Sequence, residues 1–332
     1  MRTMKRSTGV TPVRIVMALA VASCLHGASA AEDAWPVKPI RVVLPQQAGG
    51  VTDIVSRTMA VHLGKSLGQQ VVIDNQPGAN GIVAAGIVAK SPPDGYTLFM
   101  AVDSQLVINP ALYRKLPYDA HADFAPISVL ARVDMILVAH PSVPANNVGE
   151  LVAYARANPN KLHYASAGNG TQHHLGMELL KSMTGTSMVH VPYKGGPSAL
   201  NDLMAGVVEI MFTGVPSAIQ LSKAGKLKML AFTTRERSGF APDLPTVAES
   251  GVPGFELSAW FGMLAPARTP APIVNTISQA VTKVTANPEF RKTLNSNGIE
   301  PLGTTPEAMV ALIKSDTEKW AKVIRESGAR VE

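Results

Sequence analysis

Apolar residues in this chain alternate between two rhythms, short unbroken runs and stripes spaced three to five positions apart. The runs predict buried strands, and the stripes predict helices with one covered face. Ile40 to Leu44 reads as a strand, and Asp53 to Leu67 as a helix with Ile54, Met59, Leu63 and Leu67 at its apolar positions. Val71 to Ile73 and Thr97 to Val102 are further strands, separated by the turn Asn75 to Gly81 and a small-residue helix ending at Ala89. This βαβαβ order predicts a largely parallel sheet with helices on both faces.

After Pro141 the pattern restarts. Helix Val148 to Ala157, strand Leu162 to Ser166, helix Gln172 to Met183 and strand Met188 to Pro192 lead to a helix near Ala199 to Ala205. Strand Val208 to Phe212, helix Ser217 to Ala224 and strand Leu227 to Thr233 follow. A strand-like stretch from Phe255 through Trp260 to Leu264 precedes helices Ala271 to Ala286, Pro288 to Asn295 and Pro306 to Glu326. The fold class expected is α/β, two lobes around a cleft. Residues 31–135 open the first lobe, 136–253 make the second, and 254–332 return to the first.

The beginning of the chain has a different character. Arg2, Lys5, Arg6 and Arg14 precede an apolar run from Ile15 to Leu25, and Ala28-Ser29-Ala30 follows. That layout predicts a secretory leader over residues 1–30, with an apolar run too short to span a bilayer. Val21-Ala22-Ser23-Cys24 also fits a lipidation box, so lipid anchoring at Cys24 is the alternative to soluble export into the periplasm. Cys24 is the only cysteine, so cleavage after Ala30 leaves no thiol for disulfides, catalysis or metal. The leader holds four basic and no acidic residues, which takes 30 Lys+Arg against 24 Asp+Glu to 26 against 24, or +2. At that balance no nucleic-acid footprint is expected.

Three turns carry the chemistry. Tyr164 to Leu175, reading YASAGNGTQHHL, runs from a strand end through Gly168 and Gly170 into a helix. Pro45 to Asp53, PQQAGGVTD, and Phe212 to Ser217, FTGVPS, have the same form. Such turns aim backbone N–H groups at one spot on the positive end of a helix dipole, which suits an anion. Asp53 fits either helix-dipole compensation or a carboxylate on the pocket floor.

Other chemistries find less support. Leu63-Gly64-Lys65-Ser66 resembles a phosphate loop, but Met59 stands where the first glycine belongs. Gly168-Asn169-Gly170 opens a dinucleotide fingerprint whose third glycine is His173. His173 and His174 are adjacent on a helix, about 100° apart, and cannot share one metal. Ser166 has a nucleophile's position without a nucleophile elbow around it or a marked general base. No catalytic residue, metal or cofactor is expected.

These segments together resemble the Bug family, the periplasmic receptors of tripartite tricarboxylate transporters. WPVKPIRVVLP, GGVTD, QPGANG, SPPDGYTL, INPALYRKLPYD, YASAGNGTQHHL, VHVPYKGG and PDLPTVAESGVPGFE come in family order over nearly the whole chain. The resemblance implies a type II periplasmic binding-protein fold, a Venus flytrap, that holds a small carboxylate through backbone amides and ordered water. It implies inner-membrane transporter subunits as partners and a monomeric state. The ligand-binding residues it implies are Gln46, Gln47, Ala48, Gly49, Gly50 and Asp53, with Ser104 and Gln105, in the first lobe. In the second they are Ser166, Ala167, Gly168, Asn169, Gly170 and Thr171, with Thr213 and Gly214 opposite, and His174 as structural support. Gln46-Gln47 departs from the family, which usually has an aromatic residue after this proline; two amides there favour a ligand with a further polar group. A sensor that presents its acid to a signalling system, or an exported hydrolase, are the competing readings.

Overall fold

The apolar runs of the chain gather, among the described residues, into one ten-stranded sheet. The computed structural model describes residues 35–239 and 241–327, with residues 1, 3 and 4. The expected cleavage site and Cys24 lie outside them. Residues 1–37 form a separate unit from 38–332, and everything below concerns the second.

Strand β1 (Ile40–Leu44) leads to helix α1 (Val51–Leu67), strand β2 (Val71–Asn75), helix α2 (Ile82–Ala89) and strand β3 (Thr97–Val102). A π turn over Ser104–Ile108 runs into the short helix α3 (Asn109–Leu112). Strand β4 (Phe124–Ala139) then leads to α4 (Val148–Ala157), β5 (His163–Ser166), α5 (Gln172–Thr184), β6 (Val189–Pro192), α6 (Gly196–Met204), β7 (Ile210–Gly214), α7 (Val215–Lys223) and β8 (Lys228–Phe232). The chain closes with β9 (Ser258–Pro266), α8 (Ala271–Ala286), α9 (Pro288–Ser296), β10 (Glu300–Pro301) and α10 (Pro306–Ser327).

The sheet order is β2-β1-β3-β9-β4-β7-β5-β6, with β8 and β10 also on β4. Strands β1, β2 and β3 are mutually parallel, as are β5, β6 and β7. Pairs β3–β9, β9–β4, β4–β7, β4–β8 and β4–β10 are antiparallel. The sheet is therefore mixed, where the helix–strand alternation predicted a largely parallel one. The difference lies in β4 and β9, long strands that cross from one parallel set to the other.

Strand β4 has no counterpart in the sequence reading. Its sixteen residues are buried almost throughout, so they show no two-residue alternation. Pro126, Arg132 and Asp134 also break the run. Pro126 is accommodated where the register with β9 shifts, a bulge that needs no N–H from it. Residues up to Asp134 pair with β9, while Met135 to Ala139 pair with β7 and Ile136 to Ala139 with β8.

The main core runs through both strand sets, from Val43, Phe99 and Leu106 to Tyr164, Phe212 and Phe255. A smaller cluster around Ile136, Leu203, Met211 and Phe232 lies under α6 and α7. Between the sets, Thr233 pins the crossing segments. Its single hydroxyl proton is shared between Leu257 O at 2.7 Å and Met135 O at 2.9 Å, and its N–H donates to Met135 O at 3.0 Å. Burial makes these bonds costly to leave unmade, so they tie the crossing segments together.

Candidate functional site

The two parallel sets aim their carboxyl ends at each other. Val102, last in β3, faces Phe261 of β9, which faces Ala131 of β4. Gly214, last in β7, faces Met135 of β4. Four residues of a shared strand separate the two points, roughly 13 Å at 3.3 Å per residue. Loops at the carboxyl ends of parallel strands meet here, where such sheets hold ligands.

Three helices begin at these ends. Gly50 precedes α1, Thr171 precedes α5 and Gly214 precedes α7, and none of the three offers a side-chain cap to the first N–H groups. Helices α4 and α9 are capped by Asn147 and Asn287, while α2, α6 and α8 also lack a side-chain cap. Uncapped first turns away from the core must find water or a ligand as acceptor.

The first turn is exposed from Gln46 to Gly50. Its shape comes from Asp53, which is buried and accepts the Gly49 N–H at 3.0 Å, Arg57 Nε at 2.8 Å and Asn75 Nδ2 at 3.2 Å. The Arg57 guanidinium, ahead of the other donors, holds this carboxyl below the usual carboxylate range. Through these three bonds Asp53 braces the loop. The Gln46 carboxamide is also committed, since its Oε1 accepts from Thr52 Oγ1 at 2.5 Å.

Ser104 and Gln105 lie in the buried π turn, not at an open strand end. Gln105 Oε1 accepts the Val102 N–H, and its Nε2 donates to Asn80 O at 3.0 Å and Ser104 Oγ at 2.9 Å. This packing leaves Gln105 tying β3 to the Asn75–Gly81 turn.

In the second set Ser166 is fully buried, Ala167, Gly168 and Thr171 are half-buried, and Asn169 is exposed. Gly168 has φ +131° and Gly170 φ +76°, conformations that L side chains rarely adopt. The Gly168 carbonyl accepts from Thr171 Oγ1 at 2.7 Å and its N–H donates to Ser166 Oγ at 3.1 Å. The Gly170 N–H donates to His174 Nδ1 at 3.2 Å. The register of β5 with β7 sets Thr213 level with Ala167, and a Cβ added at Gly214 would meet open space.

Three residues that sequence reasoning passed over join these turns. Asn80, at φ +50°, donates from Nδ2 to Asn109 Oδ1 at 2.9 Å and to Gly170 O at 3.4 Å. Its position between two glycines in QPGANG was the available signal, because asparagine tolerates that backbone. His190 sits with Nε2 2.7 Å from Ser166 Oγ, and its ring stacks on Tyr164 and His174 at 4.8 and 4.1 Å between centroids. Burial pushes its pKa down to about 3 and lowers that of His174, so both rings are neutral. Asp103, fully buried after β3, accepts from Gln172 Nε2 on α5.

Half-open pockets of about 450 and 400 Å³ lie elsewhere, beside Arg132 and Asp134 and between Phe124 and Ile313. Neither is lined by the three turns.

Comparison with known proteins agrees with this geometry. The profile of the Tripartite tricarboxylate transporter family receptor matches residues 55–329. A structure of R. palustris Rpa4515 with adipate is similar at TM-score 0.82 and 37% identity, covering 90% of this chain and 100% of that one. The periplasmic binding protein BugD is similar at 0.79 and 34%, over 90% of this chain and 100% of its own. MatC from Rhodopseudomonas palustris with bound malate follows at 0.78 and 32%, over 87% and 100%.

Proposed function

The chain belongs to the tripartite tricarboxylate transporter receptor family, and from that premise and the facing turns we propose that it is an exported receptor closing on a small organic acid. The observation that carries this reading is the opposition of β3 and β7 ends, with three helix N-termini that no side chain caps. A carboxylate there collects N–H donors from the Gln46–Gly50, Ser166–Thr171 and Thr213–Gly214 turns, assisted by the helix dipoles. Asp53, Ser104, Gln105 and Ser166 act from behind, fixing the backbone that touches the acid. Adipate and malate on related receptors make aliphatic dicarboxylates the first class to test. Ligand contacts on both sides of the crossing strands favour the shut cleft by differential affinity. The shut, loaded form is the one delivered to membrane transporter subunits from the periplasm, by a monomer whose lobes divide near residues 135 and 254.

One observation favours a second reading. Ser166 and His190 make a serine–histidine pair of the kind used for acyl transfer. Ser166 is wholly buried, however, and a histidine with a pKa near 3 is a weak base at neutral pH. The pair reads better as a brace for the glycine turn.

A thermal-shift screen against mono-, di- and tricarboxylates and aromatic acids tests the receptor reading. Acid at a hundred times its dissociation constant adds about 2.7 kcal/mol, a rise of several degrees in a protein of this size. If no acid raises the melting temperature of protein refolded to strip co-purified ligand, the reading fails.

A further inference from the structure

We propose that Asp103 and Gln172 form a latch between the two strand sets that limits how far the cleft opens. The inference rests on the receptor reading only in treating the cleft as one that opens and shuts.

Asp103 ends the first set, directly after β3, and is completely buried. Gln172 is the first residue of α5 in the second set, next to the Ser166–Thr171 turn, and is also buried. The Gln172 side-chain amide donates to Asp103 Oδ2, which also receives the Trp260 N–H of β9 at 3.4 Å. Asp103 Oδ1 has no hydrogen-bond partner. One carboxyl thus holds the crossing strand β9 by one bond and a helix of the second set by another. Asn80 repeats the crossing 90 residues along the chain, from the Asn75–Gly81 turn to Gly170 O. Leu112 packs beside this second crossing, close enough that a Cβ at Gly170 would lie 2.3 Å from its Cδ2.

A rotation that separates the sets breaks the Gln172 bond, leaving the Gln172 amide without its acceptor and Asp103 Oδ2 with only the Trp260 N–H unless water enters. Burial, with the charge of Asp316 behind it, pushes the Asp103 pKa well above the ordinary carboxylate value. Asparagine reproduces that acceptor; alanine does not. The latch therefore predicts a difference between these two substitutions that simple filling of space does not.

The test is an interlobe distance measured without ligand. Spin labels go on Val61→Cys in α1 and Val207→Cys before β7, both exposed sites, in a Cys24→Ser background. Pulsed dipolar spectroscopy then compares wild type with Asp103→Asn, Asp103→Ala and Gln172→Ala. We expect Asn to keep the wild-type distribution and both alanine variants to move it to longer distances. Gln172→Ala guards against Asp103→Ala failing to fold, since it removes only the partner. An unchanged distribution in folded Gln172→Ala overturns the latch. Because no acid is present, that result is separate from the acid screen of the wild type, which alone decides whether the protein is a receptor.

Discussion

His190 Nε2 lies 2.7 Å from Ser166 Oγ, which in turn accepts the Gly168 N–H at 3.1 Å. The histidine thereby controls the shape of a turn it does not belong to. His190→Phe keeps a ring between Tyr164 and His174 but releases the serine hydroxyl. We predict a loss of roughly tenfold in acid affinity, about 1.4 kcal/mol, with a small change in melting temperature. His190→Ala also removes the stack, so it should lower stability by about 2–3 kcal/mol as well. Calorimetric titration beside a thermal melt separates the two effects. Equal affinity losses with no difference in stability would show that the stack is idle.

The glycines of the site divide by what surrounds them. Gly168→Val forces a branched side chain onto φ +131° with Tyr193 O 3.4 Å from its Cβ, and should abolish binding while the fold survives. At Gly214 φ is −68° and a Cβ meets nothing within 4 Å, so Gly214→Ala should leave stability within about 0.5 kcal/mol of wild type. Its affinity should nevertheless fall if that open space is where the acid sits. Unaltered affinity in Gly214→Ala removes the FTGVPS turn from the site.

Asp53 and Asp103 give opposite pH signatures. The Asp53 pKa is lowered in the folded state, chiefly by Arg57, so its contribution is present above the unfolded value of 3.8 and lost as pH falls below it. Arg57 is 55% exposed, so most of that contribution is the loop bond to Gly49, about 1 kcal/mol. Asp53→Asn should therefore cost stability at pH 7, and that cost should shrink as pH falls below 3.8 through the lowered folded pKa. The Asp103 pKa is raised, so the unfolded chain releases this proton first and stability declines as pH climbs above 3.8. Asp103→Asn removes that decline and should gain on wild type by up to about 1.4 kcal/mol per pH unit until the native carboxyl ionises. Urea melts between pH 2 and 8 read both slopes, and parallel curves for Asp103→Asn and wild type would contradict the assignment.

The legible part of this fold was its local part. Ile40–Leu44, Val148–Ala157 and Ala271–Ala286 match their predicted bounds because run, stripe and turn residues agreed there. The turn at Gly168 and Gly170 was readable because such a backbone demands glycine. Strand β4 was not, because burial along nearly its whole length erases alternation and its partners lie far away in sequence. The same distance hid His190 and Asp103. Their partners Ser166 and Gln172 are 24 and 69 residues away, and no spacing rule links them. What the sequence offered as ligand contacts also proved mixed in setting, with Ser104, Gln105 and Ser166 buried behind exposed Gln46 to Gly50.

Gln46 is where ligand choice should be decided. Its backbone carbonyl accepts from Asn75 Nδ2 at 3.0 Å and its side-chain oxygen from Thr52 Oγ1, which together fix the side chain on an exposed turn. The Nε2 donors of an amide held this way are presented in one direction, at little further entropic cost. A ligand hydroxyl or second carboxylate that accepts from them gains about 1 kcal/mol, roughly fivefold in affinity, over a plain aliphatic chain. Gln46→Phe replaces those donors with a flat apolar wall, and an acceptor desolvated against it is penalised. The substitution should reverse the preference, favouring unsubstituted over hydroxylated dicarboxylates of equal length. Titrating wild type and Gln46→Phe with the two series gives a ratio of ratios. A value near one would mean that Gln46 serves only to shape the loop, and that specificity lies on the other side of the cleft.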